Sequence, residues 1–108
     1  MSDKVIHIKS QEEHDALIKS NKFVVLDFHA VWCGPCHMIA PVYEQLAGKH
    51  ENVKFAKVDV DNVSDIAQNY GITAMPTFIF LRDGEQVKLI KGANQVALEQ
   101  AVSELQNE

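Results

Sequence analysis

Three observations predict an α/β fold with a mostly parallel central sheet, helices on both faces and one antiparallel edge. Strand-like and helix-like segments alternate in the order β-α-β-α-β-α-β-β-α. Two of the strands, Phe23–Phe28 and Thr77–Leu81, are apolar on both faces, as strands covered on both sides are. Asp83-Gly84 stands between the last two strands. A two-residue type I′ hairpin loop needs positive φ, which glycine adopts freely.

Each element has its own signal. Val5, Ile6 and Ile8, interleaved with His7 and Lys9, read as an edge strand. Ser10-Gln11-Glu12-Glu13 opens a helix as a capping box. Ser10 is expected to accept the Glu13 amide while the Glu13 carboxylate reaches back to the Ser10 amide, and the helix runs to about Ser20. A second helix follows Trp32-Cys33-Gly34-Pro35-Cys36, with Ile39, Val42, Tyr43 and Leu46 on one face. Pro41 should kink it, and Gly48 should stop it. Val53 to Val60 is the third strand. Val63, Ile66, Ala67 and Tyr70 mark a helix ended by Gly71. Val87 and Leu89 alternate with Gln86 and Lys88 in a half-exposed last strand. Asn94 caps a final helix with the stripe Leu98, Ala101, Val102 and Leu105.

A length of 108 residues gives room for one domain, 1–108. A chain of this size hides roughly two-thirds of its unfolded surface. Hydrophobic residues at 46% and charged residues at 23% exclude a disordered chain. Ten Lys and Arg against fifteen Asp and Glu leave a formal charge of −5 with no basic cluster. That argues against nucleic acid and anionic membranes as partners. Met1-Ser2-Asp3-Lys4 leads into the alternating strand instead of the apolar run of an export signal. No apolar block approaches the ~20 residues that span a bilayer. The expected setting is the cytoplasm.

The two cysteines are the informative pair. Cys33-Gly34-Pro35-Cys36 lies where a strand ends and a helix begins. The first turn of a helix carries unpaired amides and about half a positive charge, which favours an anion. A thiolate is such an anion, so the Cys33 pKa should fall from ~8.5 toward neutrality. Cys36, one turn further in, should be more buried and keep its proton longer. Cys33 then attacks and Cys36 resolves. Two ordinary buried thiols, a zinc site or a structural disulfide are the other readings. Zinc usually takes four protein ligands, or three plus water. Here Cys33, Cys36 and His37 crowd one turn without a second C-x-x-C. A bridge closing so short a loop would constrain the unfolded chain weakly.

Asp27 stands in the middle of an apolar strand, where a carboxylate is costly unless paired or protonated. Read as buried, it has a raised pKa and can take the proton of Cys36. Lys57, on the neighbouring strand, would moderate that shift. The other readings are a twisted strand that lets Asp27 reach water and a solvated surface lysine.

Val25 to Cys36, with its Trp32-Cys33-Gly34-Pro35-Cys36 core, resembles the active-site segment of the thioredoxin family. Pro41, Lys57-Val58-Asp59-Val60-Asp61, Met75-Pro76-Thr77, Asp83-Gly84 and Lys91-Gly92-Ala93 follow in order at family spacings. The resemblance runs from about Lys4 to Leu105, with a tone closer to eukaryotic, fungal-like members than to bacterial ones. It implies a five-stranded mixed sheet flanked by four helices in three layers. It also implies a cis Met75–Pro76 bond facing the sulfurs and keeping metal away, and a shallow surface of Trp32, Val60, Met75, Pro76 and Gly92 that receives an extended substrate segment.

The implied reaction is reduction of protein disulfides without a bound cofactor. Electrons would come from NADPH through a flavin-containing thioredoxin reductase, and targets would include peroxiredoxins and reductases. The implied state is a monomer, with the apolar rim around Trp32 the face for any weak dimer. Gly34 and Pro35 resemble the reducing members. Thioredoxin itself has a potential of about −270 mV and protein disulfide isomerase about −180 mV, a gap of roughly 4 kcal/mol for two electrons. His37 departs from the lysine common in relatives and reads as a solvated helix-face residue. His29 sits where relatives vary, and no role is assigned to it.

Overall fold

The computed structural model describes residues 4–107. Met1, Ser2 and Asp3, on which the reading of the N-terminus rests, lie outside them, as does Glu108. The elements are β1 (Val5–His7), α1 (Gln11–Ser20), β2 (Phe23–His29), α2 (Gly34–Lys49), β3 (Lys54–Asp59), α3 (Ser64–Asn69), β4 (Thr77–Arg82), β5 (Glu85–Lys91) and α4 (Gln95–Gln106). This is the expected order. The strands form one five-stranded sheet in the order β1-β3-β2-β4-β5. β1, β3 and β2 are parallel, and β4 and β5 continue the sheet antiparallel.

Strand alternation divides the core into two layers. Val25, Phe55, Phe78 and Phe80 face α2 and α4, packing against Tyr43, Leu46, Leu98 and Val102. Val24, Leu26, Phe28, Val58 and Ile79 face the other way, toward Ile66 of α3 and Leu17 and Ile18 of α1. β2 is buried on both faces, which is why its sequence lacks a polar period. Tyr43 ties the first of these layers to the sheet backbone. Its buried hydroxyl lies 3.0 Å from the Val25 carbonyl and 2.7 Å from that of Ala56, a donor reaching two adjacent strands.

The local signals hold, with adjustments. Ser10 accepts the Glu13 amide at 3.2 Å, but the Glu13 carboxylate takes the Lys9 amide at 2.9 Å instead of that of Ser10. α2 runs through Gly48 to Lys49 and closes on a His50 amide to Leu46 carbonyl bond. The buried stripe at Leu46 and Ala47 offsets the roughly 1 kcal/mol that an interior glycine costs. Pro41 lies inside α2, as expected. Asp83 and Gly84 take φ of 53° and 83°, the two positive values of the type I′ hairpin. Asn94 caps α4 through the Ala97 amide at 3.0 Å. Among the described residues no helix is long and apolar enough to cross a membrane.

Candidate active site

Four segments converge at the end of the sheet where β2 finishes. The β2–β3 register sets His29 opposite Asp59, so Val60 comes up beside the loop that leaves β2. Its amide donates to the His29 carbonyl at 2.9 Å. The β2–β4 register sets Phe28 opposite Thr77, bringing Pro76 to the same edge. Thr77 in turn faces Lys91, so Gly92 lies next to Pro76, and its amide donates to the Pro76 carbonyl at 2.8 Å. Gly92 holds φ 95°, a value that suits a residue without Cβ. The Met75–Pro76 bond is cis, and Thr77 Oγ1 donates to the Ala74 carbonyl at 2.6 Å.

Cys33 is the N-cap of α2, with extended backbone, Gly34 and Pro35 opening the first turn. Proline suits that turn because its missing amide would have had no helical partner. The Cys36 amide donates to Cys33 Sγ at 3.2 Å. The side-chain sulfur thus occupies the place where a capping oxygen usually sits. Cys33 and Cys36 are joined in a disulfide, with Cα atoms 5.3 Å apart. They pack with Ala30, and Val60 and Met75 cover them. The expected contrast between an exposed Cys33 and a sheltered Cys36 does not hold in this bridged form, where both residues are 5% exposed. Bonded sulfurs share one cover, so burial no longer separates them.

Asp27 is 1% exposed, and neither carboxyl oxygen has a hydrogen-bond partner among the described residues. Burial pushes its pKa up to about 7, with a smaller opposing effect from the Lys57 ammonium. The reading of Asp27 as solvent-exposed by strand twist is therefore set aside. Lys57 is its cross-strand neighbour on β3 and is half-buried. Asp27 shares its sheet face with Val25, the face that α2 covers through Ile39 and Tyr43. Cys36 precedes Ile39 by one turn on α2, the helix that covers this face.

Trp32 is not a core residue. It is 67% exposed, and its indole Nε1 donates to Asp61 Oδ2 at 2.9 Å. Val31 and Met38 are exposed as well. Asp61 was not singled out from the sequence, because a bond spanning 29 positions leaves no local pattern. His37 is exposed as expected, yet a ring nitrogen lies 2.7 Å from the Val31 carbonyl, tying the loop to α2. Among the described residues no group of three or more His, Cys, Asp or Glu side chains is placed to hold a metal ion.

A redox-active cysteine pair on a helix N-terminus, beside a cis-proline loop and following a strand with a buried acid, defines a dithiol–disulfide oxidoreductase of α/β architecture. Comparison with known proteins gives the family. The thioredoxin family model matches residues 4–104. Thioredoxin-2 of Saccharomyces cerevisiae is 47% identical, over 92% of this chain and 96% of its own. The structure of Plasmodium falciparum thioredoxin superposes with a TM-score of 0.90 at 42% identity, covering 92% of this chain and 97% of that one. A chain in a structure of the thiol-resolving mechanism of yeast mitochondrial 1-Cys peroxiredoxin, via the glutathione and thioredoxin systems, matches with a TM-score of 0.88. It is 40% identical, with 93% and 94% of the two chains covered. The chain belongs to the thioredoxin family, whose members exchange dithiols for disulfides, need no bound cofactor, and act with a thioredoxin reductase and disulfide-containing targets.

Proposed function

We propose that this chain reduces protein disulfides, with Cys33 attacking and Cys36 resolving. The observation that carries the reading is the Cys36 amide aimed at Cys33 Sγ at the N-terminus of α2. In the reduced protein the same donor and the helix dipole favour a thiolate there. That thiolate attacks one sulfur of the target, whose disulfide breaks and releases the other sulfur as a thiolate. The Cys36 thiol then gives its proton to the Asp27 carboxylate and attacks Cys33 Sγ. The mixed disulfide breaks, the target leaves as its second thiolate, and Cys33–Cys36 closes. Two electrons have passed to the target.

In this reading Lys57 holds the Asp27 pKa low enough for the carboxyl to act as a base near neutrality. Gly34 and Pro35 set the sulfur spacing and the first-turn amides. Trp32, Val60, Met75, Pro76 and Gly92 receive an extended target segment, whose backbone pairs beside Pro76. The chain works as a monomeric domain, 1–108, in a reducing compartment, the cytoplasm. NADPH and a flavin-containing thioredoxin reductase restore the dithiol. Peroxiredoxins are among its targets, a reading supported by the likeness to the chain in the yeast peroxiredoxin structure.

Insulin reduction with NADPH and a thioredoxin reductase tests the assignment. Cys33→Ser should abolish turnover, and Cys36→Ser should accumulate a mixed disulfide with the target. Turnover by the Cys33→Ser protein would overturn it.

A further inference from the structure

β2 does not end at its buried acid. Val25, Asp27 and His29 alternate onto one sheet face and pass from fully buried, through a buried carboxyl, to a half-buried imidazole. The strand registers extend this face sideways. His7 of β1 stands opposite Lys57 of β3, Lys57 opposite Asp27, and Asp59 opposite His29. Five ionisable side chains thereby gather at the C-terminal ends of three parallel strands. A cleft of about 350 Å³ opens there, with His7, His29, Lys57, Asp59 and the apolar Ile8 among its lining residues. Asp27 itself does not line it.

We propose that His29 is a positioning residue for the resolving step, carrying to solvent, through this cleft, the proton that Asp27 takes from Cys36. The inference rests on Asp27 as the acceptor of that proton. Residues 27 and 29 are about 6.7 Å apart along an extended strand, a gap that an imidazole ring and one water close. Of the groups beside Asp27, a lysine ammonium has donors only, whereas a neutral imidazole offers an acceptor nitrogen. The surroundings of His29 favour that form. Burial is the largest influence lowering its pKa, and Lys57, His7 and His37 act in the same direction while Asp59 opposes them. Asp59 is already engaged, with its Oδ1 accepting the Asp61 amide at 2.9 Å. The proton balance closes. Cys36 S–H protonates Asp27, Asp27 protonates a ring nitrogen of His29, and the imidazolium releases the proton to a base in solution. Asp27 ends ionised and His29 neutral.

The test is a stopped-flow reaction of the reduced protein with an aromatic disulfide, dithiobis(nitrobenzoate), in weak buffer near neutral pH. The first released thiolate reports attack by Cys33 and the second reports resolution by Cys36. His29→Gln and His29→Phe should leave the first phase unchanged. Each should slow the second about tenfold, less than the ~10²–10⁴ of a group acting on the reacting atom itself, because solution base competes for the proton. Added imidazole should restore the wild-type rate, a recovery that a packing defect would not show. A second phase unchanged in both variants, or slowed without recovery in imidazole, overturns the relay. Asp27→Asn separates the two levels. If it slows the second phase while the His29 variants do not, only the relay falls; if it leaves the second phase unchanged, the role of Asp27 falls and the relay with it.

Discussion

Asp27 and Lys57 stand opposite each other in the parallel β2–β3 register, yet the carboxyl is sealed from solvent without a hydrogen-bond partner among the described residues, and the lysine is half-buried. The pair is unequal. Burial raises the acid's pKa from 3.8 to about 7, and the neighbouring cation only moderates the rise. A carboxyl whose folded pKa lies above its unfolded value binds protons better when folded. Its stabilising contribution is fully present below about pH 3.8 and is lost as pH rises through about 7. Each pKa unit corresponds to 1.36 kcal/mol, so the swing is about 4 kcal/mol. Asp27→Asn, which does not titrate, should therefore gain about 4 kcal/mol on the wild type between about pH 4 and about pH 8. Urea unfolding of both proteins across that range checks it. A difference that does not vary with pH would mean that Asp27 is not the group held protonated by burial.

The parts of this arrangement legible in the sequence were those written in neighbouring residues. A carboxylate inside Phe23–Phe28 announces its own burial, Asp83-Gly84 announces a hairpin, and Asn94 announces a cap. Cys33 at a strand–helix junction likewise points to a sulfur at a helix N-terminus, and the structure adds that it is the cap. The cis bond at Pro76 came only from resemblance, because proline tolerates either isomer and tertiary packing selects one. The Glu13 carboxylate chose the Lys9 amide over that of Ser10, a difference of one residue that propensity does not resolve. Trp32 with Asp61, Gly92 with Pro76, and His29 with Asp59 are made by strand order. No window of the chain contains them.

The Trp32–Asp61 bond is a prediction about recognition more than stability. Trp32 is the only tryptophan, so its emission reports on the site alone. Asp61→Ala removes the acceptor of the indole N–H and should free the ring. A net hydrogen bond is worth about 1 kcal/mol, or roughly fivefold in affinity. The KM for a protein target should rise by about that factor, with little change in kcat and lower steady-state anisotropy of Trp32. Unchanged anisotropy and KM would show that the bond does not orient the ring.

Tyr43 ties the sheet beneath the active site. Its hydroxyl reaches the carbonyls of both Val25 and Ala56, and burial, helped by the Asp27 charge, raises its pKa well above the ordinary value. The phenol therefore remains a donor at every working pH. Tyr43→Phe keeps the ring contacts with Phe55 and Phe78 and removes only that donor. The expected loss is about 1–2 kcal/mol, read as a lower urea midpoint at constant slope. An unchanged midpoint would show that the two carbonyls do not depend on it.

Two glycines at the site should respond in opposite ways. Gly34 opens α2, has no positive φ, and a Cβ built on it meets nothing within 4 Å. Gly34→Ala should leave stability unchanged or raise it by up to about 1 kcal/mol, since alanine restricts the unfolded chain. Gly92 also has open space around it, but its backbone sits at φ 95°. An L side chain there is strained whatever the room, so Gly92→Ala should lose about 1–2 kcal/mol. Because the Gly92 amide holds the Pro76 carbonyl, the strain should reach the cis-proline loop and, if that loop receives the target as proposed, raise KM as well. Urea midpoints and insulin-reduction kinetics on the two variants give the comparison. Equal stability for both would mean that the loop relaxes to an ordinary φ, and that Gly92 is not what fixes the cis-proline segment against the sulfurs.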